Sequence, residues 1–169
     1  MRDIIIRKEK LKELQQIWEV NSAAFETNAE ADLVNRLRNC GVDFLSLIAK
    51  LDEEIVGHIL FTEVTLENSD LKIIGLAPMA VKPKYQNSGI GSVLVKQGLK
   101  ECIANGYKAV IVLGHPNYYP KFGFVPSIKF GIKSGYDVPD EVFMIKELVE
   151  NSLDGVNGIV KYHEEFDKL

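Results

Sequence analysis

Apolar residues recur at helical spacing in two segments near the start of the chain. The first runs from about Lys10 to Phe25, where the period predicts an amphipathic helix. We expect one face to carry Leu11, Leu14, Trp18 and Phe25, opposite Lys12, Glu13 and Gln16. The stripe Leu33, Val34 and Leu37 predicts a second helix. Gly41 is placed to end that helix, because glycine favours the left-handed residue that follows a helix end.

Apolar and β-branched runs predict the strands. The candidates are Ile4–Ile6, Phe44–Leu51, Ile55–Leu66, Leu71–Val81, Ala109–Leu113, Phe124–Ile132, Val142–Leu148 and Gly158–Tyr162. The tight turn at residues 52–54 joins two of these runs, which predicts an antiparallel hairpin. The continuous apolar run Ala109–Leu113 is typical of a buried parallel strand that follows a crossover helix.

The crossover helix is predicted to begin near Ser88 and to end before Gly106. At 100° per residue, its apolar residues fall within an arc of about 140°. They are Gly91, Leu94, Val95, Gly98, Leu99 and Cys102. Antiparallel strands followed by a strand–helix–strand crossover predict a mixed sheet with helices on both faces.

Composition limits the class of protein. The chain has 169 residues, 46% hydrophobic and 26% charged, which predicts a single globular domain spanning residues 1–169. The net charge of −4 argues against a broad nucleic-acid surface, which needs clustered positive charge. No apolar run approaches the roughly 18 residues of a membrane helix. We therefore expect neither nucleic acid nor membrane as a partner.

The cysteines and the N-terminus indicate the compartment. Cys40 and Cys102 are far apart and fit no metal-binding spacing, so we expect two reduced thiols and no metal site. The N-terminal run ends at Arg7 and polar residues follow at once, which is not the pattern of a secretion signal. These features predict a cytoplasmic protein.

The strongest chemical motif is a strand that ends in a loop opening a helix, from Leu76 to Ser92. The first turn of a helix has unpaired backbone N–H groups and the positive end of the helix dipole, which suit a pyrophosphate. Gly89 and Gly91 lack a Cβ atom, so a ligand can approach the backbone closely. The absence of G-K-[ST] argues against a P-loop, and the absence of G-x-G-x-x-G argues against a dinucleotide fingerprint, which makes an ATP- or NAD-binding domain a poor third choice.

Leu-Ala-x-x-Ala-Val at Leu76–Val81 and Gln-x-x-Gly-x-Gly at Gln86–Gly91, with the helix and buried strand that follow, resemble the GNAT superfamily of acetyltransferases. The resemblance implies a coenzyme A pyrophosphate site at Gln86, Asn87, Ser88, Gly89, Ile90, Gly91 and Ser92. It places the pantetheine arm along Met79, Ala80 and Val81. A backbone N–H of that strand would polarise the thioester oxygen.

A second motif follows the buried strand, in the segment Gly114–Phe124. Its Tyr-x-x-Phe-Gly-Phe ending is similar to the second half of the GNAT signature, in which a tyrosine lies near the coenzyme sulfur. That tyrosine corresponds to Tyr119, which the resemblance makes the catalytic general acid. Gly114-His115-Pro116 and the segment Tyr136–Met144 are similar to a bacterial and archaeal branch of predicted N-acetyltransferases.

The resemblance implies a mostly antiparallel GNAT sheet of about six or seven strands with three or four helices. It implies acetyl-CoA as cosubstrate and a small-molecule or peptide amine as acceptor, attacking directly in a ternary complex. A homodimer is possible, and the sequence does not decide the oligomeric state. Two alternatives also stay open: a non-catalytic acyl-CoA sensor, and an acyltransferase for a different acyl group.

No single general base can be named from the sequence. The candidates are Glu30, His58, Glu63, His115, Asp140 and Glu141, and Asp137 could help to attract a cationic acceptor. His58 lies within an apolar strand, which favours a structural role. Candidates for the coenzyme 3′-phosphate are Lys82, Lys84, Lys96 and Lys121, although solvated surface lysines are commoner. Phe25, Met79 and Phe143 are candidates for an acceptor pocket, with core packing as the default.

The pantetheine arm also predicts a break in the sheet. It needs the backbone near the end of Leu71–Val81, so pairing with Ala109–Leu113 should stop before Val81 and Leu113. Pro78 and Pro83 agree with this, because proline cannot donate to a strand ladder.

Overall fold

A computed structural model describes residues 3–169. Met1 and Arg2, the first two residues of the N-terminal run considered above as a secretion signal, lie outside the described residues. Within that range there are three α-helices: α1 (Leu14–Ala24), α2 (Ala29–Asn39) and α3 (Ile90–Ala104). The strands are β1 (Ile4–Lys8), β2 (Phe44–Leu51), β3 (Glu54–Leu66), β4 (Ser69–Val81), β5 (Ala109–Leu113), β6 (Val125–Pro126), β7 (Ile132–Ser134), β8 (Phe143–Glu147) and β9 (Gly158–Lys161).

All of these strands belong to one sheet with the main order β1-β2-β3-β4-β5-β8-β6, while β9 pairs with β3 and with β7. The pairs β1–β2, β2–β3, β3–β9, β5–β8 and β6–β8 are antiparallel. The pairs β4–β5 and β7–β9 are parallel. The predicted mixed, mostly antiparallel sheet is therefore confirmed, with nine strands instead of six or seven.

The ladder between β4 and β5 is short. It joins Ile73–Leu76 to Ala109–Val112 and, among residues 3–169, ends at Leu76 and Val112. Pro78, which has no N–H to donate, follows two residues later. The prediction that this pairing stops before Val81 and Leu113 is confirmed.

The predicted strand at Phe124–Ile132 is wrong. The chain forms only β6 there and then a 3₁₀ turn at Ser127–Phe130 before β7 begins at Ile132. The Ser127 hydroxyl donates to the carbonyl of Ile132 at 2.7 Å, and Gly131 has a φ of 70°. A local side-chain hydrogen bond and a left-handed glycine thus replace the extended conformation that the apolar residues favoured.

The predicted face of the first helix is also wrong. Leu11 is 86% exposed, whereas Glu13 is 4% exposed. The Arg7 guanidinium donates to the Glu13 carboxylate at 3.0 Å, and the backbone N–H of Lys10 donates to it at 2.8 Å. The buried residues of this segment are Glu13, Ile17, Val20 and Asn21. They follow one α-helical period, so the buried face is the one that carries Ile17 and Val20, and the ion pair with Arg7 allows Glu13 to lie on it.

The chain divides into two compact units by its internal contacts. The first comprises the described residues up to Thr62, Ala77–Gly98 and Glu164–Leu169, and the second comprises Glu63–Leu76 and Leu99–His163. The strands β3 and β4 and the helix α3 contribute residues to both units.

In the first unit, α3 packs closely on β3 at two glycines. A Cβ atom on Gly98 would lie 2.5 Å from the Phe61 ring, and one on Gly57 would lie 3.0 Å from the Leu94 side chain. Phe61 and Leu94 are completely buried. Any larger side chain at Gly98 would push the helix away from the strand.

In the second unit, β5 lies between β4 and β8. Its residues Ala109–Val112 are buried, as the continuous apolar run predicted. Gly75 of β4 lies beneath Tyr162, whose ring would be 3.1 Å from a Cβ atom at that position.

A polar network lies inside the first unit. His58 is completely buried between Asn21, whose Nδ2 is 3.0 Å from His58 Nδ1, and Ser46, whose Oγ is 2.9 Å from His58 Nε2. Asn21 Nδ2 also bonds the carbonyl of Ile17, so it donates to Nδ1 and the ring proton lies on Nε2. Burial lowers the pKa of His58 to about 3.

We predict that His58 makes stability fall with acid. The buried imidazole is neutral, and its pKa lies below the ordinary 6.5. The unfolded chain therefore binds the proton more readily. The stabilisation is complete above pH 6.5 and is lost as pH falls from 6.5 towards 3, at up to about 1.4 kcal/mol per pH unit.

Urea unfolding between pH 7 and pH 5 tests this, in a window above the titration of ordinary carboxylates. The His58→Gln variant should be less stable at pH 7 and should show a flatter dependence on pH. His115→Gln, which removes an exposed histidine, is the control and should keep the wild-type slope. If the free energy of unfolding of His58→Gln depends on pH as steeply as that of the wild type, His58 does not control stability in acid.

Candidate active site

The loop between β4 and α3 has an unusual backbone. It begins with a 3₁₀ turn at Pro83–Tyr85, and α3 then begins at Ile90. Asn87 has a φ of 60° and Gly89 a φ of 90°, both in the left-handed region. This conformation is what glycine and asparagine tolerate, which explains why those residue types occur here.

The N–H groups of this loop are available to a ligand. None of the backbone N–H groups of residues 87–92 bonds an acceptor within residues 3–169, and the first N–H that does belongs to Val93, which bonds the carbonyl of Gly89 at 3.1 Å. A Cβ atom on Gly89 would meet nothing within 4 Å, so the space above the loop is open. Backbone donors without an acceptor at a helix start are suited to bind an anion.

Side chains brace the loop. Gln86 Nε2 donates to the carbonyl of Val81 at 2.9 Å, and the Ser88 hydroxyl donates to the carbonyl of Tyr85. The two side chains are thus occupied with the backbone of their own loop. These contacts hold the loop backbone in the conformation described above.

Glu54 is a residue that the sequence did not indicate. Its carboxylate accepts from Lys82 Nζ at 2.9 Å and from the Tyr85 hydroxyl at 2.7 Å. It lies at the start of β3, 28 residues from Lys82, and no motif links the two. Only the pairing of the hairpin with the end of β4 brings them together.

Tyr119 is held in a cluster of aromatic rings. Its ring lies 5.0 Å from that of Tyr118 and 5.6 Å from that of Phe124, both edge-on, and it is 8% exposed. Gly114 is in closer contact, since a Cβ atom there would lie 2.5 Å from Tyr119 Cε2. Burial raises the pKa of Tyr119 to about 12. The residue is therefore protonated at neutral pH.

The candidate bases lie in different environments. His58 has no exposed surface, which excludes it as a base for a bound substrate and supports its structural interpretation. Glu63 accepts from the Tyr107 hydroxyl at 3.0 Å. One oxygen of Glu30, Oε2, is buried without a hydrogen-bond partner among residues 3–169. His115 is exposed, and its carbonyl accepts the N–H of Tyr118 at 3.1 Å.

The acidic segment after β7 lines a cavity of about 110 Å³ in the second unit. Asp137, Asp140 and the buried Phe143 form part of its wall, while Glu141 is exposed. Phe143 pairs with Leu113 at the end of β5. Of the other pocket candidates, Phe25 and Met79 are half-buried.

The four candidate lysines are not equivalent. Lys82 is paired with Glu54, and Lys84 Nζ lies 3.8 Å from the same carboxylate. Lys121 Nζ lies 4.0 Å from the centre of the Tyr118 ring, and Lys96 is exposed on α3. Lys82 is therefore the least available of the four for a phosphate.

Neither cysteine takes part in a disulfide within residues 3–169, and burial raises the pKa of Cys102 to about 12. Within the same residues, no group of three or more histidine, cysteine, aspartate or glutamate side chains is placed to hold a metal ion. No described helix has the length and apolar character required to cross a membrane.

The sequence profile of the acetyltransferase (GNAT) family matches residues 11–124. The N-acetyltransferase YhbS of Escherichia coli K12 is 37% identical over 147 residues, covering 86% of this chain and 88% of the relative. The N-acetyltransferase YjhQ of the same strain is 41% identical over 131 residues, covering 74% of this chain and 72% of the relative.

Solved structures agree with the sequence relatives. The crystal structure of Escherichia coli YhbS in complex with CoA matches with a TM-score of 0.95 at 34% identity, covering 99% of this chain and 93% of that one. A GNAT family acetyltransferase from Brucella melitensis, solved with acetyl-CoA, matches with a TM-score of 0.82 at 29% identity. The match covers 99% of this chain and 100% of that one.

The fold is that of an acetyltransferase, with a mixed sheet and, at the start of α3, a loop whose N–H groups at residues 87–92 bond no acceptor among residues 3–169. The chain belongs to the acetyltransferase (GNAT) family. The predicted class, an acetyl-CoA-dependent N-acetyltransferase, and the predicted fold are confirmed.

We predict that Gly114 controls the position of the Tyr119 ring. In a Gly114→Ala variant the new methyl group would overlap Tyr119 Cε2, so the free energy of unfolding should fall by about 1–3 kcal/mol. The same substitution in a Tyr119→Leu background should cost much less, because the overlapping atom is gone. Urea unfolding of the four proteins measures this coupling. Equal penalties in the two backgrounds would contradict the contact.

Proposed function

We propose that this N-acetyltransferase binds acetyl-CoA through the backbone of residues 86–92, with the pyrophosphate on the N–H groups at the start of α3. The observation that carries the proposal is the row of N–H groups at residues 87–92 that bond no described acceptor. Two similar structures, one solved with CoA and one with acetyl-CoA, support it. The loop residues concerned are Gln86, Asn87, Ser88, Gly89, Ile90, Gly91 and Ser92.

The pantetheine arm lies along Met79, Ala80 and Val81. The end of the β4–β5 ladder at Leu76 supports this, because an extended ligand needs a strand segment with room for further hydrogen bonds. A backbone N–H in this segment polarises the thioester carbonyl and stabilises the oxyanion that forms on attack.

In the reaction, the neutral amine of the acceptor attacks the thioester carbon, a C–N bond forms, and the C–S bond breaks. The coenzyme leaves as a thiolate, and the proton of the amine passes to a base or to water. The acceptor is a small-molecule or peptide amine. No covalent intermediate on the enzyme is required, and the buried Cys102, whose pKa is raised, is unsuited to form one.

Tyr119 acts on the leaving thiolate by hydrogen bonding. The pKa of a thiol is about 8.5, while that of Tyr119 is about 12, so complete proton transfer to sulfur is uphill. A hydrogen bond to the thiolate strengthens as negative charge develops there, and this differential stabilisation accelerates the reaction. The high pKa thus refines the general-acid prediction into that of a hydrogen-bond donor.

The organisation and location of the enzyme belong to the same proposal. We propose that residues 1–169 form one N-acetyltransferase domain in the cytoplasm, either as a monomer or as a homodimer. Sedimentation measurements distinguish the two assemblies. Fractionation of cells tests the location.

Turnover is the direct test. Acetyl-CoA is incubated with a panel of small-molecule and peptide amines, and the release of free thiol is measured. Amine-dependent thiol release is expected. Tight binding of acetyl-CoA with no release for any amine would favour an acyl-CoA sensor, and higher rates with other acyl groups would favour a different acyltransferase.

We predict that Gly89→Phe weakens CoA binding. Its side chain would enter the open space above the loop, where the pyrophosphate is proposed to lie. Gly41→Phe is the matched control, because Gly41 has a φ of 85°, close to the 90° of Gly89, and has the same open surroundings. Calorimetry should show at least a roughly 10-fold loss of CoA affinity for Gly89→Phe alone. Equal affinities in the two folded variants would place the pyrophosphate elsewhere.

We predict that Tyr119→Phe lowers kcat by about 10²–10⁴-fold and leaves CoA binding nearly unchanged, because it removes only the hydroxyl. Tyr118→Phe should have a mild effect. Both variants are assayed by thiol release between pH 7 and pH 9, where Tyr119 with its pKa of about 12 stays protonated. Similar small losses in the two variants would make Tyr119 a packing residue.

A further inference from the structure

One carboxylate connects the β2–β3 hairpin to the segment before the anion-binding loop. Glu54 Oε1 lies 2.9 Å from Lys82 Nζ, and Glu54 Oε2 accepts from the Tyr85 hydroxyl at 2.7 Å. These two residues lie at the two ends of the turn that leads from β4 to the loop. The carboxylate therefore holds both ends of the turn at once.

The backbone joins the same elements. The N–H of Lys82 donates to the carbonyl of Val56 in β3 at 2.9 Å, and the N–H of Tyr85 donates to the carbonyl of Lys82 at 2.8 Å. The Ser88 hydroxyl then donates to the carbonyl of Tyr85. Tyr85 is thus bonded through its hydroxyl to Glu54 and through its carbonyl to Ser88, the residue before Gly89.

The carboxylate stays charged at neutral pH. Hydrogen bonds from Lys82, and then from Tyr85, hold the pKa of Glu54 below its ordinary value. The side chain of Glu54 is 38% exposed and that of Lys82 is 24% exposed, so solvent screens their attraction. Ion pairs of this exposure contribute little to global stability. A conformational role in the adjacent loop is the function that this geometry favours.

We propose that Glu54 is a positioning residue for the coenzyme A site: by holding Lys82 and Tyr85 it preorganises the N–H groups of residues 87–92 for the pyrophosphate. This inference rests on the proposed function. A loop that is already ordered loses less conformational entropy when the ligand binds, so the contribution appears as affinity. The same pairing neutralises Lys82, which leaves recognition to the backbone.

The test compares Glu54→Ala and Tyr85→Phe with Glu53→Ala. Glu53 is the neighbouring carboxylate, 98% exposed and paired with Lys50 at 3.3 Å, so it is a matched control outside the chain of contacts. We expect the first two variants to raise the KM for acetyl-CoA by about 5- to 20-fold with kcat within about twofold of the wild type. Glu53→Ala should leave both constants unchanged.

The double variant Glu54→Ala/Tyr85→Phe adds a second measurement. If the Tyr85 hydroxyl acts through the Glu54 carboxylate, the KM of the double variant for acetyl-CoA should be no higher than that of Glu54→Ala alone. Multiplicative effects would mean that the two residues act separately and would overturn the proposal. So would a loss of kcat, or a loss of melting temperature, with an unchanged KM for acetyl-CoA, because that is the signature of a general structural role.

Calorimetry with CoA separates this inference from the proposed function. If wild type binds CoA and Gly89→Phe does not, while Glu54→Ala and Tyr85→Phe bind as wild type, the site is correct and the positioning role is wrong. If Gly89→Phe binds as wild type, the loop is not the coenzyme site and the proposed function itself fails at that point.

Discussion

The close approach of α3 to β3 is the constraint on which the candidate site depends. At Gly98 there is room for a hydrogen atom and not for a methyl group, because the Phe61 ring occupies the space. The buried Leu94 is fitted in the same way against Gly57. A close-packed contact of this kind permits few positions of the helix along the strand. The place of its first turn, where the unpaired N–H groups lie, is therefore determined by core packing.

Around this rigid contact, the molecule keeps polar groups in defined states by burial and pairing. Burial lowers the pKa of His58, and hydrogen bonds from Arg7 and a backbone N–H lower the pKa of Glu13. Burial among other rings raises the pKa of Tyr119. In each case the local environment strengthens the charge state that the residue type already favours at neutral pH. The same logic makes Glu54 a charged anchor and Lys82 its partner.

Recognition of the coenzyme through the loop backbone, as proposed, would have a consequence for binding. The N–H groups of residues 87–92 carry no side-chain charge, so their contribution to anion binding depends on how well the loop is ordered before binding. Gln86 and Ser88 bond the loop internally, and Glu54 holds the turn that precedes it. In the proposed site, affinity for the coenzyme and order in the loop therefore depend on the same hydrogen bonds.

Much of the architecture follows from local patterns in the sequence. Period and composition predicted β2 and β5 with their observed ends, and the glycines at 89 and 91 marked the loop that opens α3, because chain conformation there is set by neighbouring residues. Only the tertiary structure decided that Glu13 is buried and that Glu54 meets Tyr85. The last two residues are 31 positions apart. Which charge meets which partner depends on strand register and helix position, and these are settled when the core packs.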